Sequence, residues 1–176
     1  GADGRREWND VEVRRTNAAA RGGWIQTGAV TFYRSPVTLL RCRFEGTQAE
    51  DGLNVFGADI LLDRVVFTGC RSDSFDGDFG TGQGVNCVFR DGKADGVDVS
   101  GSDIVARDNT FEHMGDKAYS IGERSKARIQ GGCRLSRGPL LTSGSASTIS
   151  HSQVFASPSV GVNDMPAAPT LCETSE

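Results

Sequence analysis

The chain has 176 residues, 37% of them hydrophobic, with 23 glycines against five prolines and a formal net charge of −4. That length suits one domain, the many glycines suit tight turns between short strands, and the acidic balance excludes a dominant basic stripe, hence nucleic acid as main partner. No apolar run approaches the ~18 residues a membrane-spanning helix needs, so no membrane span is expected.

The first residues, Gly1-Ala2-Asp3-Gly4, carry neither an initiating Met nor a signal peptide, which suggests a processed chain or an excised domain. Residues 1–29 are the least regular part. Val11-Glu12-Val13 alternates like a strand, and Arg5, Arg6, Arg14 and Arg15 make the segment basic, as expected of an irregular first coil or cap with solvated arginines. The cysteines (Cys42, Cys70, Cys87, Cys133, Cys172) show no CxxC spacing, so a zinc site is not expected, and their odd number leaves at least one unpaired. Cys42 and Cys87 fall two positions before Phe44 and Phe89, at sites expected to face inward as small buried groups.

From residue 30 onward the sequence repeats. Leu53, Phe75, Val97 and Tyr119 are spaced 22 apart, and a second ladder runs through Phe44, Phe67, Phe89 and Phe111 at 23, 22 and 22. Each unit begins with an alternating segment (Val37-Thr38-Leu39, Ile60-Leu61-Leu62, Ile104-Val105-Ala106, Ala127-Arg128-Ile129) and turns a polar corner into the strand bearing the Phe ladder. A glycine-rich or acidic turn then leads to a third strand. A fixed period in the twenties built from short β-type segments predicts an all-β fold: a right-handed, single-stranded parallel β-helix of about seven coils, three short strands per coil, roughly 35 Å long. The expected layout is an irregular coil over 1–29, the β-helix over 30–162, and a tail or cap over 163–176. Later markers of the repeat are Leu141, Thr148-Ile149-Ser150, Val154-Phe155 and Val162.

The phrases Glu50-Asp51-Gly52-Leu53-Asn54, Phe75-Asp76-Gly77-Asp78-Phe79, Asp95-Gly96-Val97-Asp98-Val99-Ser100 and Asp116-Lys117-Ala118-Tyr119-Ser120-Ile121-Gly122 resemble the bacterial right-handed parallel β-helix repeat proteins. The nearest likeness is to β-helix regions found with CotH-like or other envelope proteins, and a more distant one is to the pectate-lyase-like superfamily. The resemblance covers over half the chain. It implies an extracellular or cell-envelope location and, from its enzyme relatives, a substrate groove on the broad face.

Charge is spread unevenly, with eleven acids against four bases over residues 46–103. Alternation places Leu53, Phe75, Val97 and Tyr119 inward, so Asn54, Asp76, Asp98 and Ser120 point outward, with Asp78 and Ser100 two positions further on. Asp51, Asp73 and Asp95 line the preceding turn, and Lys117 stands in their column. Two stacked carboxylates repel by only about 0.8 kcal/mol in water, so such a ladder is tolerable without any function. As a site, Asn54, Asp76, Asp78, Asp98, Ser100 and Ser120 are the candidate carbohydrate contacts. Asp73, Asp76, Asp95 and Asp98 are candidate ligands for Ca²⁺, the one cofactor considered, because hard oxygen ligands on a rigid face suit that ion.

Three functions are compatible with this pattern. The first is a non-catalytic module recognising surfaces or glycans, including acidic polysaccharides. The second is a polysaccharide lyase or hydrolase, with Asp76 and Asp98 as the carboxylate pair and Lys117 and Arg124 as basic residues. The third is a subunit stacking end to end into an extracellular fibre, since terminal strands invite pairing. Against the enzymes, the Asp-Asp and Gly-His-Gly patterns of pectin hydrolases are missing, and His113, one of only two histidines, falls at a turn where a solvated surface role is expected.

Overall fold

A computed structural model describes residues 4–131 in full and, beyond them, the backbone of the strands at 134–135, 141–143 and 148–151. The described chain contains no helix, hence none long and apolar enough to cross a membrane. Three parallel sheets run side by side. The first holds Arg6–Asn9, Val37–Leu40, Ile60–Asp63, Thr81–Val85, Asp103–Arg107, Lys126–Gln130 and Thr148–His151. The second holds Glu12–Arg14, Arg43–Glu45, Val66–Thr68, Val88–Arg90, Thr110–Glu112 and Arg134–Leu135. The third holds Gly28–Tyr33, Asp51–Phe56, Asp73–Asp78, Val97–Ser100, Tyr119–Ile121 and Leu141–Ser143. The chain visits the sheets in turn, which is a parallel β-helix of about five turns with ~22 residues in each.

Register follows the repeat. Phe75 pairs with Leu53 on one side and Val97 on the other, and Val97 pairs with Tyr119. Leu141 pairs with Tyr119, and Ile149 with Ala127, so the later markers also fall into place. The turn count differs slightly from expectation: the fully described residues make about five turns, against the seven expected of the whole chain. Part of the first circuit is spent on an antiparallel hairpin, Ala20–Arg21 with Trp24–Ile25, so the first two strands of the first sheet start 31 residues apart at Arg6 and Val37. The markers Val154-Phe155 and Val162, the tail over 163–176, and Cys133 and Cys172 lie outside the described residues. The expected first coil contributes two strands to the solenoid before the hairpin.

The core is narrow and stacked. Phe44, Phe67, Phe89 and Phe111 lie one above another with centroids 4.9, 5.1 and 4.7 Å apart and planes within 14°. Their spacing is the strand spacing, so like stacks on like in ring contact along the axis. Each is about 1% exposed or less, and burying such a ring contributes roughly 1.5–3 kcal/mol. Cys42 and Cys87 are free and buried in this core, as expected, and Cys70 joins them there.

Each coil turns at left-handed residues. Asp10, Arg41, Arg64, Asn86, Asp108 and Gly131 form one column after the first sheet, all with φ between 50° and 78°. Arg15, Gly46, Gly69, Asp91 and His113 form a second column after the second sheet. A third follows the third sheet: Arg34, Gly57, Phe79 and Gly101, with Arg124 in the next coil. Corner N–H groups donate to the following coil, as Arg64 N does to the Val85 carbonyl at 2.9 Å, which satisfies these donors at the bends.

Candidate functional site

The outer face of the third sheet carries the expected ladder. Asp76 pairs in register with Asn54 and with Asp98, and Asp98 with Ser120. Parallel pairing places successive members about 4.8 Å apart. Asn54 Nδ2 donates to Asp76 Oδ2 at 2.8 Å. Asp78 pairs with Phe56 on one side and Ser100 on the other. The six candidate carbohydrate contacts thus share one face, although Asn54 itself is buried at 5% exposure.

The electrostatics of this face are unusual. Burial pushes the Asp76 carboxyl up to about 8, helped by the charges of Asp78 and Asp51 and opposed by the Asn54 amide. Burial likewise lifts Asp51 and Asp73 to about 6, and raises Asp78 and Asp98. On the second sheet the acids are paired: Glu12 meets Arg14 and Arg43, Glu45 meets Arg14, and Glu112 meets Arg90. On the third, among the described residues, no cation comes within ion-pair distance of Asp51, Asp73, Asp76, Asp78 or Asp98.

The turn column before this sheet is built differently from a metal site. Asp73 Oδ1 accepts the Asp95 N–H at 2.8 Å, and Asp95 Oδ1 accepts the Lys117 N–H at 2.9 Å. Each side chain caps the backbone of the next coil. Lys117 Nζ lies 3.0 Å from Asp95 Oδ1 and also bonds Asp116. Among the described residues no three His, Cys, Asp or Glu side chains are arranged to hold a metal ion. Of the four candidate Ca²⁺ ligands, Asp73 and Asp95 each spend one oxygen on a backbone N–H group, while Asp76 and Asp98 stand side by side on the ladder.

The catalytic candidates separate into two places. Asp76 and Asp98 are neighbours on the ladder, whereas Arg124 lines a cleft at the corner beyond the third sheet. Lys117 has its pKa raised, first by the Asp116 hydrogen bond. A lysine that abstracts a proton needs the opposite shift. His113 is exposed, as expected, and its Nδ1 lies 3.2 Å from Asp91 Oδ1.

Sequence reasoning missed an aromatic column beside the ladder. Tyr33 stacks on Phe56 with centroids 5.4 Å apart and planes 17° apart. Phe79 sits 5.3 Å from Phe56 but is turned 67° out of the stack. Tyr33 and Phe79 are 59% and 62% exposed, and the Arg34 guanidinium lies 5.4 Å over the Tyr33 ring. Phe79 rests against Gly101, where an added Cβ would come within 2.7 Å of the ring. Next to it opens a cleft of about 440 Å³, lined by Phe79, Gly101, Asp59, Asp103, Arg124 and Lys126 among others. The chemical capacity of the whole is an open aromatic ring flanked by fixed hydrogen-bonding groups on one side and a polar cleft on the other. No protein-family model matches the chain, and no curated protein matches it.

Proposed function

We propose that this chain is a non-catalytic glycan-recognition module of β-helix fold, acting outside the cell or in its envelope. The reading face is the outer side of the third sheet together with the corner cleft. The observation that carries this is Phe79. Phe79 takes the left-handed φ of 52° that this corner column also imposes on Arg34 and Arg124, but it is the one position of the column that presents an aromatic ring, with Gly57 and Gly101 on either side. An exposed ring held against a bare glycine at such a corner motivates a binding role. Pyranose rings offer an apolar C–H face for a ring and hydroxyls at their rim for neighbouring amide and carboxyl groups. Asn54, Asp76, Asp78, Asp98, Ser100 and Ser120 supply that rim.

A glycan array probed with the native chain and with Phe79→Gly tests the proposal. Binding by the native chain, reduced at least about tenfold in the variant, is the expected outcome. Equal binding by both, or none by either, counts against it. A second reading, glycoside hydrolysis, is favoured by one observation, the Asp76 carboxyl held protonated near neutral pH next to Asp98. Release of reducing ends by the native chain, lost in Asp76→Asn, would replace recognition with catalysis.

A further inference from the structure

We infer that the glycan taken by this face carries free amino groups: a polymer of amino sugars of the glucosamine type, not a uronate. The inference rests on the glycan reading above and names its substrate class. Three observations carry it. Among the described residues, the acids of the third sheet have no cation within ion-pair distance, while those of the second sheet do. Asp51, only 2% exposed, holds a carboxylate oxygen with no hydrogen-bond partner; its charge acts on Asp76, and that of its register neighbour Asp73 acts on it. The aromatic column belongs to the same rows, since Phe56 pairs directly with Asp78 and Phe79 follows it.

A sugar ring seated on Phe79 therefore brings its substituents over Asp78 and toward Asp98 as the charged acceptors, with the protonated Asp76 beside them as a neutral hydrogen-bonding group. An ammonium there gains hydrogen bonds to ionised acceptors, the strong kind. A carboxylate there meets the same charges with the wrong sign. A bare divalent ion is the poorer fit, because no three acids are set as ligands among the described residues. An ammonium asks less, having three donors that pair one acceptor at a time. Along the solenoid the acids recur once per coil at Asp76 and Asp98, so a chain polymer can engage more than one coil.

The test is binding, by calorimetry at low and high salt, of three oligosaccharides of equal length: glucosamine, N-acetylglucosamine and galacturonate, with oligolysine as a fourth ligand. The glucosamine oligomer should bind at least about tenfold tighter than the acetylated one at low salt. The gap should narrow as salt rises, and the galacturonate should be weakest. Asp78→Asn and Asp98→Asn, both at partly exposed positions, should bring the glucosamine and N-acetylglucosamine oligomers within about threefold of each other. Equal or tighter binding of the acetylated or acidic oligomer overturns the amino-sugar inference and leaves the glycan reading standing. Binding of oligolysine as tight as glucosamine, with Phe79→Gly changing neither, overturns it as well, because the face would then read charge alone. Failure of every sugar overturns both readings.

Discussion

Raising the pH acts on one place above all, the outer face of the third sheet. Asp76, Asp51 and Asp73 have folded-state values of about 8, 6 and 6, all above the ordinary carboxylate value an unfolded chain shows. Between that value and the folded one, the native state keeps a proton that the unfolded state has released, so stability falls as pH rises. Each group still protonated contributes a slope of about 1.4 kcal/mol per pH unit. Asp51 and Asp73 complete their titration near pH 6, and Asp76 continues alone to about pH 8. The loss is steepest between about pH 4 and 6, and the segment from 6 to 8 belongs to Asp76. Over those two units the limit is about 2.7 kcal/mol, reduced to roughly 1–2 because solvent reaches this face. Urea unfolding at about pH 5, 6 and 8 reads the trend. In Asp76→Asn, which removes the titrating group, the midpoint should stay level from pH 6 to 8 and exceed the native one at pH 8. A native midpoint that is flat or rises over the same range would refute the claim that burial drives these shifts.

Two glycines should respond in opposite ways to the same substitution. Gly84→Ala points its methyl at a cavity of about 30 Å³ and meets only Asn109 Nδ2, at 3.6 Å, so it should stabilise by about 1 kcal/mol in urea unfolding. Gly96→Ala sets a Cβ within 2.5 Å of the Phe111 ring and 2.8 Å of the Ala118 carbonyl, and should destabilise by about 1–3 kcal/mol. Phe89→Ala, at the middle of the stack, removes ring contacts at 5.1 and 4.7 Å and should cost about 3–5 kcal/mol, seen as a lower thermal midpoint. Phe79→Gly should leave stability in urea unfolding unchanged or raise it by up to about 1 kcal/mol while weakening glycan binding at least about tenfold, because a left-handed φ suits glycine better than phenylalanine.

The parts of this fold that could be read from sequence are those fixed by a constant period. Phe44, Phe67, Phe89 and Phe111 recur at nearly equal steps because each must fill the same slot in the core one coil further along. The outward ladder followed from the inward one by alternation alone, and Asp76 and Asp98 indeed face each other across adjacent strands. The corners could not be read this way. Arg41, Arg64 and Arg34 adopt left-handed backbone that local preference assigns to Gly or Asn, since the winding of the whole coil dictates φ there. The aromatic column was hidden for a similar reason. Counting 22 on from Phe56 lands on Asp78, its strand partner, whereas Phe79 lies one residue later, already in the corner. The signal was a spacing of 23 through Tyr33, Phe56 and Phe79, which crosses from strand to turn.

That one-residue step also explains why the site lies at this corner. A strand residue is held on its face by hydrogen bonds on both sides, and an aromatic at 78 would stand in the stack with Tyr33 and Phe56. Moved to 79, the ring leaves the strand, turns 67° from Phe56 and comes to rest over the next coil. That resting place exists only because residue 101 has no side chain, since a Cβ there would meet the ring at 2.7 Å. The left-handed bend at 79 and the bare backbone at 101 are thus two halves of one arrangement. Position 78 is left free for a carboxyl beside Asp76 and Asp98. An aromatic ring and an unpaired acid are thereby set next to each other on a rigid scaffold, which neither the core ladder nor the surface ion pairs of the second sheet requires.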